Sequence, residues 1–269
     1  MLSKTQIMGV INITPDSFSD GGKYLNPIKA INLAKQMIEQ GVDIIDIGGE
    51  SSKPGAIPIT ADEEIDRVIP VLEAIKNNFD VIVSIDTYKQ EVMDLACEYN
   101  VDIINDIFAL RKIKCLKKIA KLNKKIILMH MFENPETMQK NYHYQDIIQD
   151  IISFFDKRIS FCLENNIKKE NIILDPGFGF GKSVEHNFKI LHNLAEFKKL
   201  GLPVLIGVSR KSSISKIINK KPCESDNGTT VLNTIAILNK VNYLRVHNVD
   251  MAKEAVELVH KYKNTNNLY

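Results

Sequence analysis

Eight short apolar runs, rich in isoleucine and valine, punctuate this chain: Ile7 to Ile11, Ile44 to Ile47, Val81 to Ile85, Val101 to Ile104, Ile126 to Met129, Ile172 to Leu174, Val204 to Val208 and Tyr243 to Val246. Runs of this length and β-branched content read as buried strands, and the stretches between them carry helical periodicity. In one such stretch Ile65, Val68, Ile69, Leu72 and Ile75 share a face behind the capping-box spacing of Thr60 and Glu63. The last opens at Asp250 and stripes Ala252, Ala255, Val256 and Val259. Strands alternating with helices imply a parallel sheet. Such a sheet either closes into a barrel or stays open and doubly wound; eight strands in 269 residues favour closure. The expectation is therefore an α/β chain forming a single (β/α)8 TIM barrel over residues 1–269, with a frayed tail around Asn264 to Asn267.

Composition excludes several function classes. A net charge of +2 creates no global field for nucleic acid or an anionic membrane surface. No apolar stretch reaches bilayer length and the start lacks a signal-peptide core, so a cytoplasmic location is expected. Cys97, Cys115, Cys162 and Cys223 are scattered, which fits reduced thiols rather than zinc ligands or a disulfide framework. Lysines crowd the segment from Arg111 to Lys125, but Ile113, Leu116, Ile119, Ala120 and Leu122 interleave with them at roughly helical spacing. That pattern predicts the wet side of an amphipathic helix.

A barrel of this kind builds its chemistry at the C-terminal ends of its strands. Polar residues gather there: Asn12, then Gly48 to Glu50, Asp86, Asn105 and Asp106, His130 after Met129, Asp175, Ser209 to Lys211, and Arg245 with His247. Residues two apart on a strand share a face, so Arg245 and His247 read as a cation pair suited to a phosphate-bearing ligand. "DPGFGFGKS", residues 175 to 183, imitates a nucleotide-binding P-loop. Pro176 occupies the position of the required first glycine and has no N–H to offer a phosphate, which weakens that reading.

"MGVINITPDSFSDGG", "DIGGESSKPGA", "SIDT", "NDI", "LMHM", "DPGFGFGK", "GVSRKS" and "RVH" occur in the order and near the spacing of bacterial dihydropteroate synthases, which the chain resembles from about residue 6 to residue 260. The resemblance implies condensation of 6-hydroxymethyl-7,8-dihydropterin diphosphate with 4-aminobenzoate, releasing pyrophosphate, in a homodimer that uses Mg2+. It implies pterin contacts from Asp86, Asn105, Met129, Asp175 and Lys211. Asn12, Arg245 and His247 are implied to hold the diphosphate, with the metal near Asn12. Phe18, Ser52, Lys53, Pro54, Phe180 and Ser209 are implied to form the aminobenzoate slot. In this picture Asp86, Asp175, Lys211, Arg245 and His247 carry catalysis of an SN1-like displacement, and the loops Thr14 to Tyr24 and Glu50 to Ile59 close over the site.

The chain departs from that pattern in places. Ser52, Lys53, Pro54 and Gly55 stand where Thr-Arg-Pro-Gly is usual, Ser213 replaces a bulky apolar residue, and Ser225 with Asp226 replaces an Arg-Leu pair. An altered response to sulfonamides is expected from these changes. Two rival readings remain open at this point: a pterin-binding methyltetrahydrofolate methyltransferase domain, and a catalytically silent pterin-binding module.

Overall fold

The computed structural model describes residues 4–14, 27–53, 55–133, 138 and 142–265. Phe18, Pro54 and most of the loop from Thr14 to Tyr24 lie outside these residues. Strands β1 (Gln6–Asn12), β2 (Ile44–Gly48), β3 (Ile82–Asp86), β4 (Ile103–Asp106), β5 (Lys125–Met129), β6 (Ile172–Asp175), β7 (Leu205–Ile206) and β8 (Tyr243–Val246) form one parallel sheet in the order 6-5-4-3-2-1-8-7. A parallel bridge between Leu174 and Val204, backed by the Leu174 N–H donating to Pro203 O at 2.9 Å, joins β6 to β7. The cylinder is thereby closed.

Helices α1 (Pro27–Glu39), α2 (Ala61–Asn78), α3 (Gln90–Glu98), α4 (Leu116–Leu122), α5 (Ile147–Glu164), α6 (Val184–His192), α7 (Leu194–Lys198), α8 (Ser212–Ile218), α9 (Asp226–Leu238) and α10 (Val249–Thr265) connect the strands. Parity along each strand decides what packs where. Ile45, Ile47, Val83, Ile85, Ile104, Leu128, Leu174 and Leu244 face the helices in one large core with Val68, Leu72, Ile75, Ala252 and Val256. The alternate residues Met8, Ile44, Ile103, Ile127, Ile173, Leu205 and Tyr243 meet inside the barrel as a separate cluster. Further along the inward faces of β2, β3, β4, β6 and β8 stand Asp46, Ser84, Asn105, Asp175 and Arg245. A buried branched apolar side chain stabilises by about 2 kcal/mol, whereas a buried charge costs stability unless paired. The upper interior is thus spent on something other than holding the fold together.

Three expectations need adjustment. β7 is two residues long rather than five, because the Val204 carbonyl turns to accept from the N–H groups of Asn242 and Tyr243. The basic segment is helical only over Leu116–Leu122. The Asp106 carboxylate takes the N–H groups of Phe108 and Leu110, both at 2.7 Å, and Ala109 and Leu110 adopt positive φ, so a turn occupies the chain before the helix can start. At α2, Thr60 accepts from the Glu63 N–H at 3.2 Å, while the Glu63 carboxylate turns outward to Arg67.

Candidate active site

The inward faces of β2, β3, β4 and β8 bring a charged group together in the barrel mouth. Arg245 Nε donates to Asp46 Oδ2 at 2.7 Å, and its terminal NH2 donates to Asp86 Oδ2 at 2.6 Å. The Asn105 amide donates to the same Asp46 oxygen at 3.2 Å. One guanidinium thus serves two buried carboxylates, and Asp46 Oδ1 has no hydrogen-bond partner among the described residues. Burial pushes the Asp86 carboxyl up to about 7, against the pull of Arg245 and with the push of Asp46. Gly48 keeps this mouth open: a Cβ there would stand 3.3 Å from Asn12 Oδ1 and 3.5 Å from Asp86 Cβ.

Asp175 ends β6 opposite this group, and its Oδ1 accepts from the Gly177 N–H at 2.7 Å. Burial raises its pKa. The loop after it turns through glycines because nothing larger fits. A Cβ on Gly177, at φ +69°, would lie 1.9 Å from the His130 carbonyl oxygen. Gly177→Ala is therefore expected to destabilise the chain by about 3 kcal/mol or more, read by urea denaturation; an unchanged midpoint would contradict the packing described. Lys182 explains why the P-loop likeness is only a likeness. Its buried ammonium donates to the carbonyls of His130, Gly177 and Phe180 at 3.2, 2.9 and 2.9 Å, bracing the loop from inside. Removal from water lowers its pKa to about 7.

Above the loop, Lys211 Nζ sits 4.0 Å from the centre of the Phe180 ring, and its methylenes pack where a Cβ on Gly179 would meet Lys211 Cδ at 3.0 Å. Burial, then the neighbouring Arg245, lowers the Lys211 pKa to about 8. Phe180 belongs to an apolar wall with Met129, Ile107, Phe108, Met131 and Met138. On the other side a cleft of about 150 Å3 is lined by Asn12, Ser52, Lys53, Ser209, Lys211, Arg245 and His247, among others. Ser209 Oγ lies 2.9 Å from His247 Nδ1 and accepts from the His247 N–H at 3.2 Å. Burial, then Arg245, holds the His247 ring down to about 3, so the expected cation pair is one cation beside a neutral imidazole. In the neutral tautomer in which Nδ1 accepts from the serine hydroxyl, the ring is a donor at Nε2.

Every described residue expected at the site lies on this mouth or its rim; Phe18 and Pro54 lie outside the described residues. His130 lies apart, packed edge-on against Phe154 with ring centroids 4.9 Å apart. Sequence reasoning missed Asp46, Lys182 and Asn187. Asp46 could have been found from its spacing to Gly48 on one strand face. Asn187 is fully buried; its Oδ1 takes the Gly179 N–H at 2.7 Å and its amide donates to Ser213 Oγ at 2.9 Å, which gives the unexpected Ser213 a partner. The loop from Glu50 to Ile59 is pinned at its base. Glu50 takes Tyr88 OH at 2.8 Å, Lys89 Nζ at 2.6 Å and the Ile59 N–H at 3.0 Å.

Residues 8–247 match the family model described as pterin binding enzyme. The chain belongs to the pterin-binding enzyme family. Among relatives of this pterin-binding enzyme, the dihydropteroate synthase of Haemophilus influenzae is 44% identical over 257 residues, covering 96% of this chain and 94% of that protein. The Yersinia pestis dihydropteroate synthase, solved as a sulfonamide drug complex, superposes with a TM-score of 0.93 at 40% identity, covering 98% of this chain and 96% of that one. The Xanthomonas albilineans dihydropteroate synthase in complex with 7,8-dihydropteroate superposes at 0.88 with 34% identity, covering 98% and 95%.

Proposed function

We propose that this pterin-binding enzyme is a transferase that condenses 6-hydroxymethyl-7,8-dihydropterin diphosphate with 4-aminobenzoate, giving 7,8-dihydropteroate and pyrophosphate for folate synthesis. The observation that carries this reading is the convergence of Asp86, Asn105 and Asp175 with Arg245, Lys211 and His247 at one mouth of the barrel. A pterin edge presents paired N–H donors, which a buried carboxylate such as Asp175 accepts in bidentate fashion while the Asp86 carboxylate and the Asn105 amide meet the rest of the ring. Met129 gives the ring an apolar face, and Lys211 a donor for its carbonyl. Phe180, Ser209, Ser52 and Lys53 border the aminobenzoate end, where Lys53 supplies a point charge rather than a planar fork.

Chemistry follows from those placements. The bond between the pterin methylene and its bridging oxygen breaks, and the electron pair leaves with pyrophosphate. The aromatic amine, neutral at physiological pH, forms the C–N bond with its lone pair and then loses a proton, so a strong general base gains little. Charge develops at both ends in an SN1-like path: Arg245 and the His247 Nε2–H meet the departing anion, while Asp86 and Asp175 steady the cationic ring. Among the described residues no three His, Cys, Asp or Glu side chains converge on a metal position. Asn12 offers one hard amide oxygen on the rim and is the residue that would help hold Mg2+, with substrate present, at this end of the cleft. When bound, the ion supplies neutralisation of the leaving diphosphate.

Two ionisations set the working range. Asp86 must be ionised to face the ring cation, so activity rises as pH passes about 7; Lys211 must stay protonated, so activity falls above about 8. A narrow bell of kcat/KM against pH is expected, with the acid limb missing in Asp86→Asn; two unchanged limbs in that variant would contradict the assignment. The reading is tested by following pyrophosphate release with and without 4-aminobenzoate. Release that depends on the amine supports it, whereas methyl transfer or pterin binding without turnover would support the rival readings. A homodimer in the cytoplasm completes the proposal. Among the described residues no helix is long and apolar enough to cross a membrane. Ile217, Val231 and Leu238 expose apolar surface on α8 and α9 that self-association would cover; a monomer by sedimentation would contradict it.

A further inference from the structure

We infer that Asp226 is a positioning residue for the condensation: its carboxylate ties the loop after β7 to the loop after β8, and so fixes Ser209 and Lys211 at the cleft. The inference rests on the function proposed above and extends it to a residue none of the motifs contains.

The local geometry is unusual. Arg210 stands between Ser209 and Lys211 with φ +56°, in the left-handed region that a non-glycine residue enters only when its surroundings hold it there. Asp226 does the holding. Arg210 Nε donates to Asp226 Oδ1 and Arg210 NH2 to Asp226 Oδ2, both at 2.8 Å, a fork-to-fork pair. The backbone N–H of Arg210 is held in turn by Thr229 Oγ1 at 3.2 Å, one helical turn further along α9. The second oxygen of Asp226 also takes the Asn248 amide at 3.3 Å, and Asn248 caps α10 by accepting from the Met251 N–H at 3.1 Å. One carboxylate therefore brackets two of the loops whose side chains line the cleft.

Position is transmitted along the chain. Ser209 holds His247 and Lys211 lies over Phe180, so letting Arg210 relax to a common backbone conformation would turn both neighbours away from their partners. A second consequence is electrostatic. Arg210 borders the cleft, but its charge is matched by Asp226, so an anionic substrate is left to the other cations of the lining, Lys53, Lys211 and Arg245.

The test is steady-state kinetics of Asp226→Asn, Asp226→Glu, Arg210→Gln and the Arg210→Gln/Asp226→Asn double variant, alongside thermal unfolding. The expected result is a KM for 4-aminobenzoate raised about tenfold in Asp226→Asn and in Arg210→Gln, with kcat lowered as well, because Lys211 and the Ser209–His247 pair also serve the reacting site. Asp226→Glu should recover part of the loss, and the double variant should be no worse than either single one, because the pair acts as a unit. Unchanged or lowered KM in a folded Asp226→Asn protein, or fully additive losses in the double variant, would overturn the inference. If Asp226→Asn does not fold, the Arg210→Gln kinetics decide by the same criterion. A parent enzyme without turnover would instead fault the proposed function, so the two failures are distinguishable.

Discussion

Asp175→Asn is expected to lower kcat/KM for the dihydropterin diphosphate by about 10³-fold with little change in stability. The substitution keeps shape and keeps an oxygen for the Gly177 N–H at 2.7 Å, so the glycine turn has no reason to move. What it removes is the charge, and it puts an NH2 where an acceptor faced the pterin donors. Losing one partner of a buried, charge-assisted pair costs about 3–5 kcal/mol, and each 1.4 kcal/mol is tenfold in rate, which gives the expected factor. The ring must be held before either end of the reaction can proceed, so both kcat and KM should suffer. A variant within tenfold of the parent would place the pterin elsewhere.

The second large effect concerns Arg245, and here stability and turnover should fall together. Arg245→Met removes the only guanidinium that reaches both Asp46 and Asp86 among the described residues. Two carboxylates are then left facing each other in a desolvated barrel, and breaking such a pair by deleting one partner costs about 3–5 kcal/mol. The same deletion removes the charge that meets departing pyrophosphate, worth about 10²- to 10³-fold in kcat by analogy with a single lost oxyanion donor. Urea denaturation and turnover measured on one preparation separate the two losses. Asp46→Asn combined with Arg245→Met should regain part of the stability, since one stranded charge is gone, yet regain none of the turnover. Recovery of turnover in that double variant would show that Arg245 serves the fold alone.

Much of this architecture can be read from the chain, for a physical reason. Parallel strands covered on both faces are apolar along most of their length, so they stand out as near-continuous isoleucine and valine runs, and their C-terminal ends mark the mouth. That pattern fades where a strand's length is set by its neighbours. β7 shrinks to Leu205–Ile206 because the Val204 carbonyl turns to the N–H groups of Asn242 and Tyr243, and no local pattern in Val204 to Val208 signals that. The site divides similarly. Residues just beyond a run, such as Asp86 and Asp175, are conspicuous, and Arg245 stands out inside its run through its pairing with His247; Asp46, also inside a run, is signalled only by its spacing to Gly48. Lys182, Asn187 and Asp226 act through partners far away in sequence. Asp226 meets Arg210 across 16 residues and Lys182 meets His130 across 52, distances that periodicity does not reach. The protonation of His247 is likewise a product of the folded mouth, where burial and Arg245 decide it.

The most direct measurement is a crystal structure of the protein with a non-hydrolysable dihydropterin diphosphate analogue and 4-aminobenzoate. The account predicts the pterin edge on Asp175 and Asn105, the phosphates on Arg245 and His247, and the amine of aminobenzoate lying against the bridging methylene. A pterin bound away from Asp175, or phosphates at the opposite end of the barrel, would contradict it.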